Sequence, residues 1–192
     1  MTPSVAKLVF LFALTVFGAI RLPHQLRKAP VAKADRGWRE KIRLSAAGLG
    51  LGVIPVMAAV SHLAGGADLA FRPWLAWIGA VVFAIALWLF YSAHRELGQN
   101  FSSTLVVRQS HTLVTHGIYA HVRHPMYAAF WLWAVAQALL LQNWLVAACG
   151  FAGFGILFFG RIGQEEAMMR EAFGEQYDAF ARRTKRLLPW IY

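Results

Sequence analysis

Charge is what this 192-residue sequence has least of. Only 15% of its residues are Asp, Glu, Lys or Arg, against about 25% in an ordinary soluble domain. Long windows carry no charge at all, which argues against a water-covered surface. Acids are the scarcest, nine against nineteen Lys and Arg, which leaves a net charge of +10. The single cysteine, Cys149, sits in an apolar run, so an intrachain disulfide framework is excluded and a small buried residue is expected there. The sequence has no GxGxxG, no P-loop, no CxxC, no HExxH and no multi-histidine box. These gaps remove the sequence signals of dinucleotide folds, phosphate-loop enzymes and zinc proteins. No repeat of about 20–50 residues and no low-complexity tract is present.

Apolar residues fill the space. They make up 58% of the chain, with eight tryptophans and fourteen phenylalanines, and mean hydropathy is +0.48. Five apolar segments stand out, at roughly 4–20, 45–64, 73–93, 126–141 and 144–160. A bilayer core takes about 20 residues of helix. The first three segments meet that length. The last two are shorter, are parted by Gln142 and Asn143, and predict a tight helical hairpin. The first is expected to be a transmembrane helix, because the Ala-x-Ala site at Ala32–Ala34 lies too far downstream for a cleaved leader. We therefore predict an all-α integral membrane protein with about five transmembrane helices.

Basic residues set the orientation. Segment 21–44 carries eight Lys and Arg, loop 94–124 three and tail 161–192 six, whereas loop 65–72 carries one. Five crossings put the three basic regions on one side. The expectation is an outside N-terminus and a cytoplasmic C-terminus. The net charge then suits anionic lipid headgroups better than nucleic acid.

Polar residues of such a chain point to function. Loop 94–124 holds five of the seven histidines, and the tail holds five of the nine acids. In the tail, Met169, Phe173, Tyr177 and Phe180 recur at helical spacing and predict one amphipathic helix. Arg161, Glu165 and Met169 fall on one line of that helix. By spacing alone, Arg161 and Glu165 read equally as a solvated i,i+4 ion pair. His121 and His124 could be two metal ligands, but Pro125 breaks any helix that would carry both. A satisfied polar loop anchoring a helix start is the plainer reading, with Pro125 in the first turn.

Three stretches carry a resemblance. "HTLVTHGIYAHVRHPMY" (111–127), the following "WLWAVAQALLLQNW" and "RIGQEEAMMREAFGEQYDAF" (161–180) together resemble the isoprenylcysteine carboxyl methyltransferase family. "ELGQNFS" before the loop and the T-x-R-L-x-P ending at 184–189 belong to the same likeness, which covers about half the chain, roughly 94–190. The resemblance implies a single membrane methyltransferase domain over 1–192. Three N-terminal helices would occupy 1–93, and 94–192 would form the cofactor-binding and catalytic half.

It further implies S-adenosyl-L-methionine as methyl donor, bound on the cytoplasmic side in a pocket closed by a C-terminal helix. Carried over by motif, His111, Thr112, Leu113 and Val114 would contact the donor. Tyr119 and the turn His124, Pro125, Met126 and Tyr127 would complete the pocket, with Thr104 as a further contact. Glu165 would hold the donor's ammonium group, and Arg161 would face the acceptor, so these two are the catalytic candidates. No metal is implied. The acceptor would be lipophilic, small or prenylated, entering from the bilayer among membrane lipids. An isoprenylcysteine carboxylate is already ionised at neutral pH and needs a cation rather than a base. A phospholipid amine, the alternative acceptor, would need a base, for which His124 is the candidate. An NADPH-dependent sterol reductase of related fold and a basic membrane scaffold are the alternative classes.

Overall fold

The computed structural model describes residues 1–26, 37–61, 64–98 and 112–188, and every regular element among them is helical. The elements are α1 (Pro3–Leu26), α2 (Trp38–Gly48), α3 (Ile54–Val60), α4 (Pro73–Leu97), α5 (Pro125–Leu141), α6 (Trp144–Phe173) and α7 (Glu175–Arg183). A π-helical turn, Leu49–Val53, joins α2 to α3, so that Trp38–Val60 reads as one span. Among the described residues, four spans are long and apolar enough to cross a membrane: Pro3–Pro23, Trp38–Val60, Pro73–Leu97 and Trp144–Phe173. α5 has only 17 residues, about 26 Å of helix, slightly less than the roughly 30 Å bilayer core. Large apolar side chains such as Phe12, Trp77, Trp88 and Phe159 are exposed. In an integral membrane protein that outer surface meets lipid.

Helix ends follow local chemistry. Pro73 and Pro125 occupy first-turn positions, where a missing N–H costs nothing. The α5–α6 hairpin predicted at Gln142-Asn143 forms, and both side chains are tied down. Gln142 adopts the left-handed conformation, accepts from the Arg72 N–H (2.7 Å) and donates to the Arg72 carbonyl (2.9 Å). Asn143 caps α6 by accepting from the Val146 N–H at 3.0 Å and donates to Asp68 at 2.7 Å.

Two extents differ from the apolar runs. The second span begins at Trp38 rather than near 45, because its first turns, Trp-Arg-Glu-Lys, are interfacial and carry charge. The tail is not a separate helix starting at 161. α6 continues unbroken to Phe173, because Gln, Glu, Ala, Met and Arg are good helix formers. It is then about 45 Å long, so its last turns project beyond the bilayer core. The break falls at Gly174 (φ 51°, ψ −129°), a conformation that only glycine adopts without strain. The predicted amphipathic stripe is thereby split between α6 and α7.

Packing joins the membrane half. Gly153 lets α6 approach α2 so closely that an added Cβ would stand 2.3 Å from the Ala46 carbonyl oxygen. The buried Gln137 amide of α5 donates to the Gly50 carbonyl of the π turn at 3.0 Å. Phe17 ties α1 to α4 and α5, with ring centroids 4.4 Å from Phe90 and 4.6 Å from Trp133.

Candidate functional site

A cavity of about 480 Å³ runs between these elements. One limb is apolar, walled by Leu14 and Phe17 of α1, Leu44, Ala47 and Leu51 of α2 and its π turn, and Trp133 of α5. The other limb is bounded by Thr112–Val114, Tyr119, Met169 and Phe173, with Tyr177 and Phe180 of α7 across it. Arg161, Glu165, Tyr127 and His124 line the same cavity. They stand where α6 leaves the apolar region and α5 begins.

The central group is built from two helices. Arg161 and Glu165 are one turn apart on α6, with Nη2 and Oε1 3.4 Å apart. Their side chains are only 8% and 22% exposed. The solvated-pair reading is therefore corrected: the pair exists, but it lines a cavity. Tyr127, in the first turn of α5, donates to Glu165 Oε1 at 2.5 Å. His124 stacks on Tyr127 and lies between two acids, its Nδ1 3.8 Å from Glu165 Oε2 and its Nε2 3.6 Å from Glu166 Oε1. Glu40, in the first turn of α2, brings its Oε1 within 3.5 Å of Arg161 Nε. Arg161 thus faces two carboxylates. Glu40 Oε2 and Arg161 Nε are both buried and without a hydrogen bond among the described residues.

Beside this group lies a second ionic cluster. Glu166 is buried and accepts from Arg123 Nε and Nη2 at 3.2 Å each. It also accepts from Arg186 Nε at 3.1 Å and Nη2 at 2.7 Å. Arg123 reaches on to the carbonyls of Ala181 (3.0 Å) and Thr184. The backbones join as well: Arg123 N–H donates to Lys185 O at 2.7 Å, and His124 N–H to Arg186 O at 2.9 Å. The cluster fastens the segment after α7 to the start of α5, which holds α7 over the cavity.

Two tyrosines face the second limb. Burial pushes the Tyr177 phenol up to about 12, with Glu166 adding to the effect. Burial, then Glu165 and Glu96, raises Tyr119 as well. Both stay neutral at ordinary pH. The Tyr177 hydroxyl is buried and has no hydrogen-bond partner among the described residues.

Of the residues singled out in the sequence, Thr112, Leu113, Val114, Tyr119, His124, Met126, Tyr127, Arg161 and Glu165 all line this cavity. Pro125 is buried at the start of α5 and supports the wall without lining it. Thr104 and His111 lie outside the described residues. His121 is exposed, and no three metal-ligating side chains cluster among the described residues. Sequence reasoning missed Glu40, Arg123, Glu166 and Arg186. The Arg-His-Pro and Glu-Glu pairings were the available signal for Arg123 and Glu166. Glu40 had only its rarity, as one of two acids in a basic segment.

Fold and site together define a polytopic α-helical protein with a largely apolar cavity that carries a buried ionic group in its wall. The chain belongs to the isoprenylcysteine carboxyl methyltransferase (ICMT) family, whose model matches residues 74–171. It is 35% identical over 102 residues to the protein-S-isoprenylcysteine O-methyltransferase of Schizosaccharomyces pombe, covering 52% of this chain and 43% of that protein. It is 32% identical over 120 residues to the Tribolium castaneum enzyme of the same name, covering 62% and 43%. The B form of Arabidopsis thaliana is 31% identical over 121 residues, covering 62% and 61%. The chain spans about half the length of these curated relatives, from 43% to 61%. In three dimensions it resembles a solved structure of the eukaryotic intramembrane Ras methyltransferase ICMT, with a TM-score of 0.63 and 24% identity. That match covers 100% of this chain and 69% of the other.

Proposed function

We propose that this chain transfers a methyl group from S-adenosyl-L-methionine to the carboxylate of a lipophilic, isoprenylcysteine-like acceptor. Family membership supports the reaction class. The observation that carries the reading is the cavity, whose limb between α1, α2 and α5 is apolar and whose wall carries Arg161 and Glu165. The distribution of Lys and Arg supports a cytoplasmic site and an outside N-terminus.

The residues fit such a donor. Leu113, Val114, Met169 and Phe173 give an adenine ring apolar surface. Tyr177 offers a buried hydroxyl with no partner among the described residues. Glu165 offers a carboxylate whose Oε2 has, among the described residues, only His124 as an ionic neighbour, at 3.8 Å. The bound donor would supply an electrophilic methyl carbon on a sulfonium. Everything else is positioning, the main contribution to an in-line displacement. Tyr127 and Arg161 fix the Glu165 carboxylate so that it can hold an ammonium group. Arg161 orients the acceptor's carboxylate through its planar fork. No proton need be removed, because the acceptor is ionised at neutral pH. The acceptor's chain would lie in the limb between α1 and α2, reached from the bilayer.

The test is methyl transfer by the purified protein in nanodiscs. Tritiated methyl should appear on N-acetyl-S-farnesylcysteine as a base-labile ester. Label found only in phosphatidylethanolamine would replace this reading with the amine one, and NADPH binding without donor binding would overturn both.

A further inference from the structure

One positive charge in the cavity has no part in the scheme above. Three arginines of the site meet three carboxylates. Arg161 lies against Glu40 and Glu165, while Arg123 and Arg186 enclose Glu166. Formally these six charges cancel, but they are not evenly spread. The Glu40, Arg161 and Glu165 group carries a formal charge of −1, and alone it disfavours a third carboxylate. The Glu166 cluster carries +1, but its guanidiniums are engaged with Glu166 and backbone carbonyls.

Arg21 is the cavity-lining arginine left over. It stands one turn after Phe17 on α1, with its guanidinium carbon 5.9 Å from the centre of the Phe17 ring. Phe17 is itself fixed against Phe90 and Trp133, so the helix turn that carries Arg21 is held. No carboxylate among the described residues pairs with it. A guanidinium on a largely apolar wall is unfavourable without a counter-charge. A ligand of opposite charge supplies one. Phe17 and Leu14 below it belong to the apolar limb, so a ligand lying there would bring its polar end toward Arg21. Arg21 also lies outside the stretch matched by the family model, 74–171.

We infer that Arg21 is an anion-binding position of the acceptor limb, which selects an acidic lipophilic acceptor over a neutral or amine one. This rests on the cavity being the acceptor site, as proposed above. Arg21 draws the acceptor's carboxylate toward the junction, where Glu165 is taken by the donor's ammonium group. It is a recognition residue and takes no part in bond making.

The test is direct binding in nanodiscs without donor, which needs no turnover. Tritiated N-acetyl-S-farnesylcysteine is displaced by the unlabelled acid or by its primary amide, with the natural protein, Arg21→Gln and Arg21→Lys. Loss of a charge-assisted contact should weaken the acid about tenfold or more in Arg21→Gln. The amide should be unaffected, and Arg21→Lys should keep most of the acid's affinity. Equal weakening of acid and amide would overturn the inference and make Arg21 part of the wall or the fold. Unchanged acid binding would overturn it in favour of a lipid phosphate as the partner of Arg21. A natural protein that binds the acid but never methylates it would sink the proposed function and leave Arg21 standing. Normal methylation with unaltered acid binding in Arg21→Gln would do the opposite.

Discussion

Glu165 and Glu166 are consecutive on α6, yet about 100° of helix rotation puts them in different regions. Glu166 is enclosed by Arg123 and Arg186, with nearly every lone pair matched. Among the described residues, Glu165 keeps Tyr127 and Arg161 on one oxygen and only a distant histidine near the other. The two regions use the same chemistry to opposite ends. Where the ionic partners are complete, the charge fixes the fold and holds α7 against the α5 start. Where they are incomplete, the charge is open to a ligand, as proposed for Glu165. The same contrast separates Arg123, engaged on all sides, from Arg161, whose Nε has no hydrogen bond among the described residues.

The largest effect should come from breaking the complete cluster. Glu166→Ala leaves two guanidiniums without their carboxylate, and removing one partner of a buried pair costs about 3–5 kcal/mol. Thermal unfolding in detergent should show that loss, together with easier proteolysis at the C-terminal end. A variant as stable as the natural protein would show that the clamp is not what holds α7.

Arg161→Lys probes the incomplete region, with a smaller effect. Lysine keeps the charge near Glu40 and Glu165 but loses the planar fork. Turnover on the prenylated acid should fall about tenfold, the order expected for one charge-assisted contact. Donor affinity and unfolding temperature should stay near normal. If the acceptor is an amine, Arg161→Lys should be mild and His124→Ala severe.

The smallest effect is expected from pH. With an ionised acceptor and no base, activity should be flat between about pH 6 and 9. A rise with the titration of a base would favour the amine reading. Stability should also be insensitive there. The raised Tyr177 value contributes stability that is fully present below about pH 10, the ordinary phenol value. It is lost as pH rises through about 12.

Much of this contrast could be read from the sequence, and part could not. Pro125 and the Gln142-Asn143 break announced helix ends because their chemistry is local. The Arg-His-Pro and Glu-Glu stretches pointed to residues that line the cavity, because charged residues rarely border so apolar a segment. Helix extents were less legible. Charged turns continue a helix past the bilayer, as at Trp38 and beyond Arg161, and an apolar run does not record them. Partners were least legible. Glu40 meets Arg161, and Arg123 meets Glu166 and Arg186, across long stretches of chain. No periodicity encodes which distant charge answers which, so the division between clamp and cavity appears only in three dimensions.

The central claim is that the unclosed carboxylate, Glu165, is the one reserved for the donor. Isothermal titration of S-adenosylmethionine into the natural protein and Glu165→Gln tests it most directly. Glutamine can still accept from Tyr127, so the fold should hold while the charge is gone. The dissociation constant should rise about tenfold or more, the equivalent of roughly 1.5–3 kcal/mol for a hydrogen bond to a charged group. Equal affinities in the two proteins would contradict the claim and return Glu165 to a plain ion pair with Arg161.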